Sequence, residues 1–396
     1  MDVYTPFGGL FIVCLILVIL RLPLFSATDQ KWHVSSTRTE TLDGLRGYLA
    51  LGVFIHHAVI YYGLLKSGVW DNPPSVLYTQ LGPVGVSLFF MITGFLFWGK
   101  VISTDGRVEW LKLFVGRVFR ITPVYYLTML LVMFIIFAKS NFKLVEDLDT
   151  IFMQISPLFL FGIFEPGKVI NGYVGPRGIT AAVTWTLRYE WIYYLVILPF
   201  SALFVRAGFH LIYSIFVLLL CLISYEFFHA SSNSLLLAAF FMGMVCASLQ
   251  TKMNSNSLDN KFFSGVIVLF FYLVFFEPFG MTDVLRVVLS GFIFFSIVNG
   301  CSIYGLLKKK SSQRLGEISY SIYLLQGIFL YLYVQIPEVR EWAILNVYFF
   351  WLFVTVVGVS LVFGAYLAYV LIEKPGIRMG KKFIENFVHK NAGIRG

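Results

Sequence analysis

Residues 42–57 read LDGLRGYLALGVFIHH, an apolar run that carries Asp43 and Arg46 near one end and His56 and His57 at the other. A helix of roughly 20 such residues spans a bilayer. Arg46 and His57 are eleven positions apart, which at about 100° per residue is close to three full turns, so their side chains share one helix face. The rise per residue places His57 roughly 16 Å deeper than Arg46. The stretch predicts a membrane-spanning helix with one polar face.

The composition of the whole chain favours the same class of protein. Hydrophobic residues make up 58% of the 396 residues and charged residues 13%, against roughly 45–50% and 25% in soluble domains. So few charges cannot cover that much apolar surface in water. The net charge of +9 is typical of membrane proteins whose cytoplasmic loops collect Lys and Arg. We therefore expect membrane lipids as partners and no nucleic acid.

The hydropathy pattern predicts about eleven transmembrane helices. A further apolar run, 151–164, is short enough to be re-entrant or interfacial. The predicted spans are 7–25, 44–65, 81–101, 119–138, 189–205, 209–228, 235–250, 263–277, 283–305, 317–336 and 346–372.

Lys and Arg in the loops predict the orientation of the chain. Segments 21–46, 100–120, 308–314 and the tail 377–396 are basic, which places them in the cytoplasm. The alternation is consistent if 139–188 lies wholly on the far side, with the N-terminus outside and the C-terminus inside. We expect three units: an extra span and linker in 1–41, a membrane domain in 42–376, and a basic tail in 377–396.

Two arginines, Arg117 and Arg120, stand at the predicted cytoplasmic start of the fourth span. Residues three apart share a helix face, and the guanidinium fork suits phosphate. The alternative interpretation is an ordinary positive-inside pair.

His57 is an ionisable residue within a predicted span, and such residues are commonly functional. The alternative interpretation is a core histidine that is hydrogen-bonded between helices.

Glu190 lies in an aromatic-rich stretch, WTLRYEWIYY, that begins at Trp185. Ionisable residues within membrane spans are costly and commonly functional. This stretch indicates either a carboxylate that lines a cavity open to the far side, or an aromatic belt at headgroup level. The four cysteines are scattered singly, and no zinc signature, phosphate loop or nucleophile elbow is present. We expect no metal.

Six motifs, taken in their order along the chain, resemble those of the membrane acyltransferase-3 family. Members of that family transfer acyl groups, usually acetyl, to envelope carbohydrates. The resemblance implies an all-α polytopic integral membrane protein with an extra N-terminal span before a ten-span core. It also implies the cytoplasmic (inner) membrane of a bacterium. The motifs are Leu42 to Arg46 with His57, Gly85 to Phe95, Arg117 to Tyr126, Trp185 to Tyr194, Ser319 to Leu325, and Glu373 to Pro375.

The resemblance also implies roles for individual residues. Arg46 and His57 correspond to the essential pair of the family, Arg117 and Arg120 to the acyl-CoA side, and Glu190 to a recurrent functional position. Many members carry a histidine where this chain has Gln326, so we assign that residue no role in proton transfer.

These observations predict an O-acyltransferase that uses acetyl-CoA and an envelope glycan or lipid-linked oligosaccharide. Arg117, Arg120 and Arg46 would bind the phosphates of the donor, and Asp43 would orient Arg46. His57 would act as general base or as transient acyl carrier. The acceptor would contact Trp185, Glu190, Tyr173 and Tyr323.

Two other functions fit a membrane protein of this kind. A transporter or flippase of a glycan or lipid intermediate would use the buried Arg and His as a translocation path, although the sequence lacks an internal repeat. A non-catalytic scaffold would tolerate substitution of Arg46 and His57.

Overall fold

The computed structural model describes residues 2–29, 40–229, 231–253, 257–277 and 280–392. Residues 30–39 and 393–396, which belong to the linker and tail predicted to be cytoplasmic, lie outside the described residues. The helices are α1 (Pro6–Ile19), α2 (Glu40–Ser67), α3 (Val76–Ser103), α4 (Trp110–Lys139), α5 (Leu148–Ile155), α6 (Trp185–Ile192), α7 (Leu198–Arg206), α8 (His210–Phe228), α9 (Asn233–Gln250), α10 (Lys261–Phe276), α11 (Asp283–Val298), α12 (Lys310–Glu317), α13 (Ser319–Val334), α14 (Pro337–Leu345), α15 (Val347–Ala368) and α16 (Lys374–Ala392). Strands β1 (Val169–Ile170) and β2 (Tyr173–Val174) form one short antiparallel pair.

Within the described part of the chain, six helical segments are long and apolar enough to cross a membrane. They are α2, α3, α4, α8, α9 and the continuous segment Val347–Asn386, which contains α15. Helices α12 and α13 would add a seventh segment if the pair counts as one span, although the two helices are bent by 66° at the break between them. The chain is therefore an all-α polytopic membrane protein, and eleven spans stays a prediction.

Two helices end earlier than the spans predicted for them. Helix α1 ends at Ile19, not at residue 25, and the chain turns into a 3₁₀ segment at Pro23, whose nitrogen has no hydrogen to donate. Helix α11 ends at Val298, not at residue 305, and is followed by Gly300 with φ +102°. Both differences arise from residues that interrupt the backbone hydrogen-bond pattern of a helix.

Helices α3 and α9 pack with their backbones in direct contact. A Cβ atom on Gly94 would lie 2.2 Å from the Phe240 carbonyl oxygen, and one on Gly243 would lie 2.1 Å from that of Met91. Glycine at both positions therefore permits the close approach that small residues allow between membrane helices. The Phe240 ring then stacks on Phe90 at 4.4 Å between ring centroids.

The segment between α4 and α6 consists of short helical elements and two short strands rather than one long helix. Helix α5 has eight residues, about 12 Å, against a hydrocarbon core of about 30 Å, so it is too short to cross, and a re-entrant or interfacial position for the 151–164 run stays a prediction. Asn171 and Gly172 connect β1 to β2 with φ of +48° and +75°, as in a two-residue hairpin turn. The Asn171 side chain also accepts from the Val145 nitrogen at 2.8 Å and donates to the Lys143 carbonyl at 2.9 Å.

Arg314 connects the N-terminal helix to the remaining bundle. Its Nε and one terminal nitrogen donate to the two carboxylate oxygens of Asp29 at 2.7 and 2.8 Å. Another terminal nitrogen donates to the carbonyls of Leu20 and Leu22 at 2.6 and 2.9 Å. The hydrogen bonds from Arg314 lower the pKa of Asp29 to about 2. The pair holds the end of the α1 segment against α12.

Candidate active site

Two cavities lie one behind the other between α2, α3, α6 and α13, and Val86 and Tyr323 line both of them. The cavity that contains Arg46, which we call the inner cavity, has a volume of about 100 Å³. The cavity that contains His57, which we call the outer cavity, has a volume of about 580 Å³. The polar face predicted for α2 therefore runs past both cavities.

The inner cavity gathers three arginines around one carboxylate. Arg46 comes from α2, Arg117 and Arg120 from α4, and Glu190 from α6. All three guanidinium groups lie within electrostatic range of the Glu190 carboxylate, which also accepts a 2.8 Å hydrogen bond from the Tyr194 hydroxyl. The arrangement is a positively charged chamber that is large enough for a phosphate or a thioester but not for a whole nucleotide.

Aromatic rings hold Arg117 in place. Its guanidinium carbon lies 4.2 Å from the centre of the Phe97 ring and 5.6 Å from that of Tyr194. Cation–π contacts of this kind stabilise a desolvated guanidinium. The side chain is therefore oriented before any ligand arrives.

Asp43 and Arg46 pair at 3.4 Å across one helical turn. The backbone around them is fixed by close packing: a Cβ atom on Gly44 would lie 2.1 Å from the Leu307 carbonyl oxygen. Gly316 likewise approaches the Asp43 carbonyl, since a Cβ atom there would lie 1.9 Å from that oxygen. The glycine of the Asp43–Arg46 motif thus sets the position of the helix that carries both charges.

His57 lines the outer cavity, beside Gln326 of α13. His57 Nδ1 is 3.4 Å from Gln326 Oε1, while the Gln326 amide nitrogen donates to the Tyr323 carbonyl at 3.0 Å. Since that second bond directs Oε1 at the ring, the arrangement favours the tautomer in which Nδ1 donates and Nε2 keeps its lone pair. The Trp70 ring covers the site with its centroid 6.3 Å from that of His57.

His56 is engaged in a contact between helices. Its Nδ1 is 2.7 Å from the Tyr78 carbonyl oxygen, and its ring packs against Gly82 on α3, where a Cβ atom would lie 2.6 Å from Nε2. The imidazole therefore fastens α2 to α3, although it also borders the outer cavity.

Tyr323 forms part of the wall between the cavities and is held by three neighbours. Its hydroxyl donates to the Val183 carbonyl at 3.2 Å and lies 3.1 Å from Thr186 Oγ1. The Phe89 ring meets it edge-on with 5.9 Å between centroids. Tyr323 therefore lies at the boundary between the arginines and His57.

The structure separates residues that the sequence suggested would act together. Trp185 lines the outer cavity with His57, whereas Glu190, five residues along α6, lines the inner cavity. This differs from the expectation that both border an outward-facing chamber, because five residues of helix displace a side chain by about 7.5 Å and rotate it by a net angle of about 140°. Tyr173 lies outside the linings of both cavities and its hydroxyl is 3.0 Å from that of Tyr331.

Glu373 lies near the arginines of the inner cavity, although its position at the end of a predicted span suggested no function. It is 1% exposed, accepts from the Ser321 hydroxyl at 2.9 Å, and lies within electrostatic range of Arg120 and Arg46. An acidic residue at the end of a long apolar run, as in Glu373-Lys374-Pro375, is the signal that indicates it. Across the described ranges there is no cluster of three His, Cys, Asp or Glu side chains suited to a metal ion.

A family model described as "Acyltransferase domain", that of the acyltransferase-3 family, matches residues 40–370. The chain belongs to the acyltransferase-3 family. No curated protein and no solved structure matches it. The protein is thus a multi-pass membrane acyltransferase, which favours that interpretation over a transporter or a scaffold.

Proposed function

We propose that the protein transfers an acyl group, acetyl, from acyl-CoA on the cytoplasmic side to a hydroxyl of an envelope carbohydrate on the far side. The observation that carries this proposal is the pair of adjoining cavities, one rich in arginine and the other containing a histidine. In this assignment the inner cavity receives the donor and the outer cavity the acceptor. The membrane would be the cytoplasmic membrane of a bacterium, with the C-terminus inside.

The inner cavity suits the donor because of its charge and size. Arg46 lies six residues, about 9 Å, from the first residue of α2, so the arginines are within reach of a molecule that enters from the cytoplasm. Guanidinium groups form strong, charge-assisted bonds with phosphate. A chamber of about 100 Å³ would hold a phosphate or the thioester, and the nucleotide would remain at the surface. Asp43 would orient Arg46, and Glu190 would offset the repulsion among the arginines until the donor binds.

The outer cavity suits an acceptor that reacts at His57. In the general-base route, Nε2 takes the proton of the acceptor hydroxyl as its oxygen attacks the thioester carbonyl, and the CoA thiolate leaves with that proton. In the relay route, Nε2 attacks the thioester carbonyl, the C–S bond breaks, and CoA leaves as the thiol with the Nδ1 proton. The acceptor hydroxyl oxygen then attacks the acyl carbon, its proton passes to the ring, and the neutral imidazole leaves. The free lone pair on Nε2 serves both routes, with Gln326 as a positioning residue.

Two measurements test the proposal. Surface-glycan mass in cells with and without the protein should differ by one acetyl group per modified repeat unit; identical masses would count against the reaction. Incubation of membranes with acyl-labelled CoA and no acceptor separates the routes, because label on His57 appears in the relay route alone.

A further inference from the structure

Arg286 borders the outer cavity and is not part of the catalytic scheme. It lies in α11, is 6% exposed, and donates at 2.7 Å to Asp283 Oδ1 and at 2.7 Å to Glu277 Oε2. Its Nε is buried and has no hydrogen-bond partner among the described residues. A buried N–H without a partner is costly, so an acceptor atom brought by a ligand would relieve that cost.

The charge around Arg286 is negative overall. One guanidinium faces two carboxylates, and both of its terminal nitrogens are already engaged by them. Among the described residues that line the outer cavity, Asp283 is the acidic residue and Arg286 is the basic residue, apart from the two histidines. An acidic ligand would meet net negative charge in a partly desolvated cavity, where like charges repel strongly.

The rest of the lining is neutral and suited to hydroxyl-rich rings. Aromatic rings offer flat apolar surfaces with a polar edge, and neutral amides and hydroxyls both donate and accept. A volume of about 580 Å³ is in the range of cavities that enclose a small ligand. The aromatic rings are Trp185, Tyr189, Tyr225 and Tyr323, and the neutral polar groups include Gln80, Asn233 and Ser290.

We propose that the outer cavity selects an uncharged sugar residue as the acceptor, and that Arg286 and Asp283 determine this selectivity. Arg286 Nε donates to a ring or hydroxyl oxygen of the sugar, and Asp283 accepts from a hydroxyl. This inference rests on the proposed function, in which the outer cavity receives the acceptor. Neither residue touches the acyl group, so their substitution alters acceptor choice rather than donor use.

The test uses membranes containing the full chain and two acceptor oligosaccharides that differ in one unit, a hexose in one and the corresponding hexuronic acid in the other. Wild type should use the neutral acceptor with at least about tenfold higher kcat/KM. Asp283→Asn removes one negative charge and should reduce that ratio by about tenfold. Glu226→Gln removes an exposed carboxylate on α8 and is the matched control, for which the ratio stays as in wild type.

A second variant tests the Nε contact. Arg286→Lys keeps the positive charge for the two carboxylates but has no Nε, so the KM for the neutral acceptor should rise about tenfold while the KM for acyl-CoA stays constant. Equal use of the two acceptors by wild type, or an Asp283→Asn ratio like that of wild type, overturns the selectivity proposal. Absence of transfer to any saccharide instead overturns the proposed function and, with it, this inference.

Discussion

The inner and outer cavities share a wall but differ in kind. The inner cavity is small and places three arginines around Glu190, whereas the outer cavity is almost six times larger, about 580 against about 100 Å³, and is lined mostly by uncharged aliphatic, aromatic and polar residues. The difference indicates that the inner side recognises charge and the outer side recognises shape and hydroxyl groups. A donor that carries phosphates and an acceptor that carries hydroxyls fit this division.

The largest expected effect separates chemistry from binding. His57→Ala removes the base or acyl carrier and should lower the acyl-transfer rate at least about 100-fold, with the KM for acyl-CoA unchanged because the arginines remain. The measurement is acceptor acylation in membranes at saturating donor. His229→Asn, which removes an exposed imidazole after α8, is the control. Near-normal transfer by His57→Ala would refute the catalytic assignment.

Removing charge from the inner cavity should affect the donor alone. Arg117→Ala combined with Arg120→Ala deletes two guanidinium groups, and we expect the pair together to contribute about 1.5–3 kcal/mol to donor binding, the range for a hydrogen bond to a charged group. The apparent KM for acyl-CoA should rise by about 10- to 100-fold, and that for the acceptor should stay constant. Arg188→Ala, which removes an exposed arginine of α6, is the matched variant. A rise in the acceptor KM instead would contradict the assignment of the donor to the inner cavity and of the acceptor to the outer cavity.

Gln326 tests whether the orientation of His57 matters as well as its presence. Gln326→Leu removes the partner of Nδ1 and should lower kcat several-fold, since the correct tautomer is no longer favoured. Gln326→Glu restores an acceptor for Nδ1 and should recover kcat while moving the acid limb of the pH–rate profile upward, because a nearby carboxylate stabilises the imidazolium. Identical pH profiles for all three proteins would show that Gln326 merely fills space.

The smallest effect on activity is expected far from both cavities. Asp29→Asn breaks the bidentate contact with Arg314 and should reduce thermal stability in detergent while leaving both KM values unchanged. The pKa of Asp29 is lowered to about 2 from its usual value, so its stabilising contribution is complete above about pH 4 and is lost as the pH falls to about 2. Stability curves of wild type and Asp29→Asn should therefore converge at low pH, and parallel curves down to pH 2 would contradict the role of this pair.

The amino-acid sequence determined the class of fold, because the composition and hydropathy of a chain reflect whether its surface faces water or lipid. The long apolar runs give the membrane helices. The eleven-residue interval also aligns Arg46 with His57, since helical periodicity is a local property. The length of the 151–164 run alone predicts that it does not cross as a full span.

Tertiary structure decided how these local elements combine. That Arg46 and His57 border different cavities depends on Val86 of α3 and Tyr323 of α13, which lie far from both along the chain. The partition of Trp185 and Glu190, the burial of Glu373 and the unpartnered Nε of Arg286 likewise depend on contacts between distant helices. A single sequence fixes periodicity along each helix, but cavity walls form where side chains of different helices meet, and those meetings are set by packing.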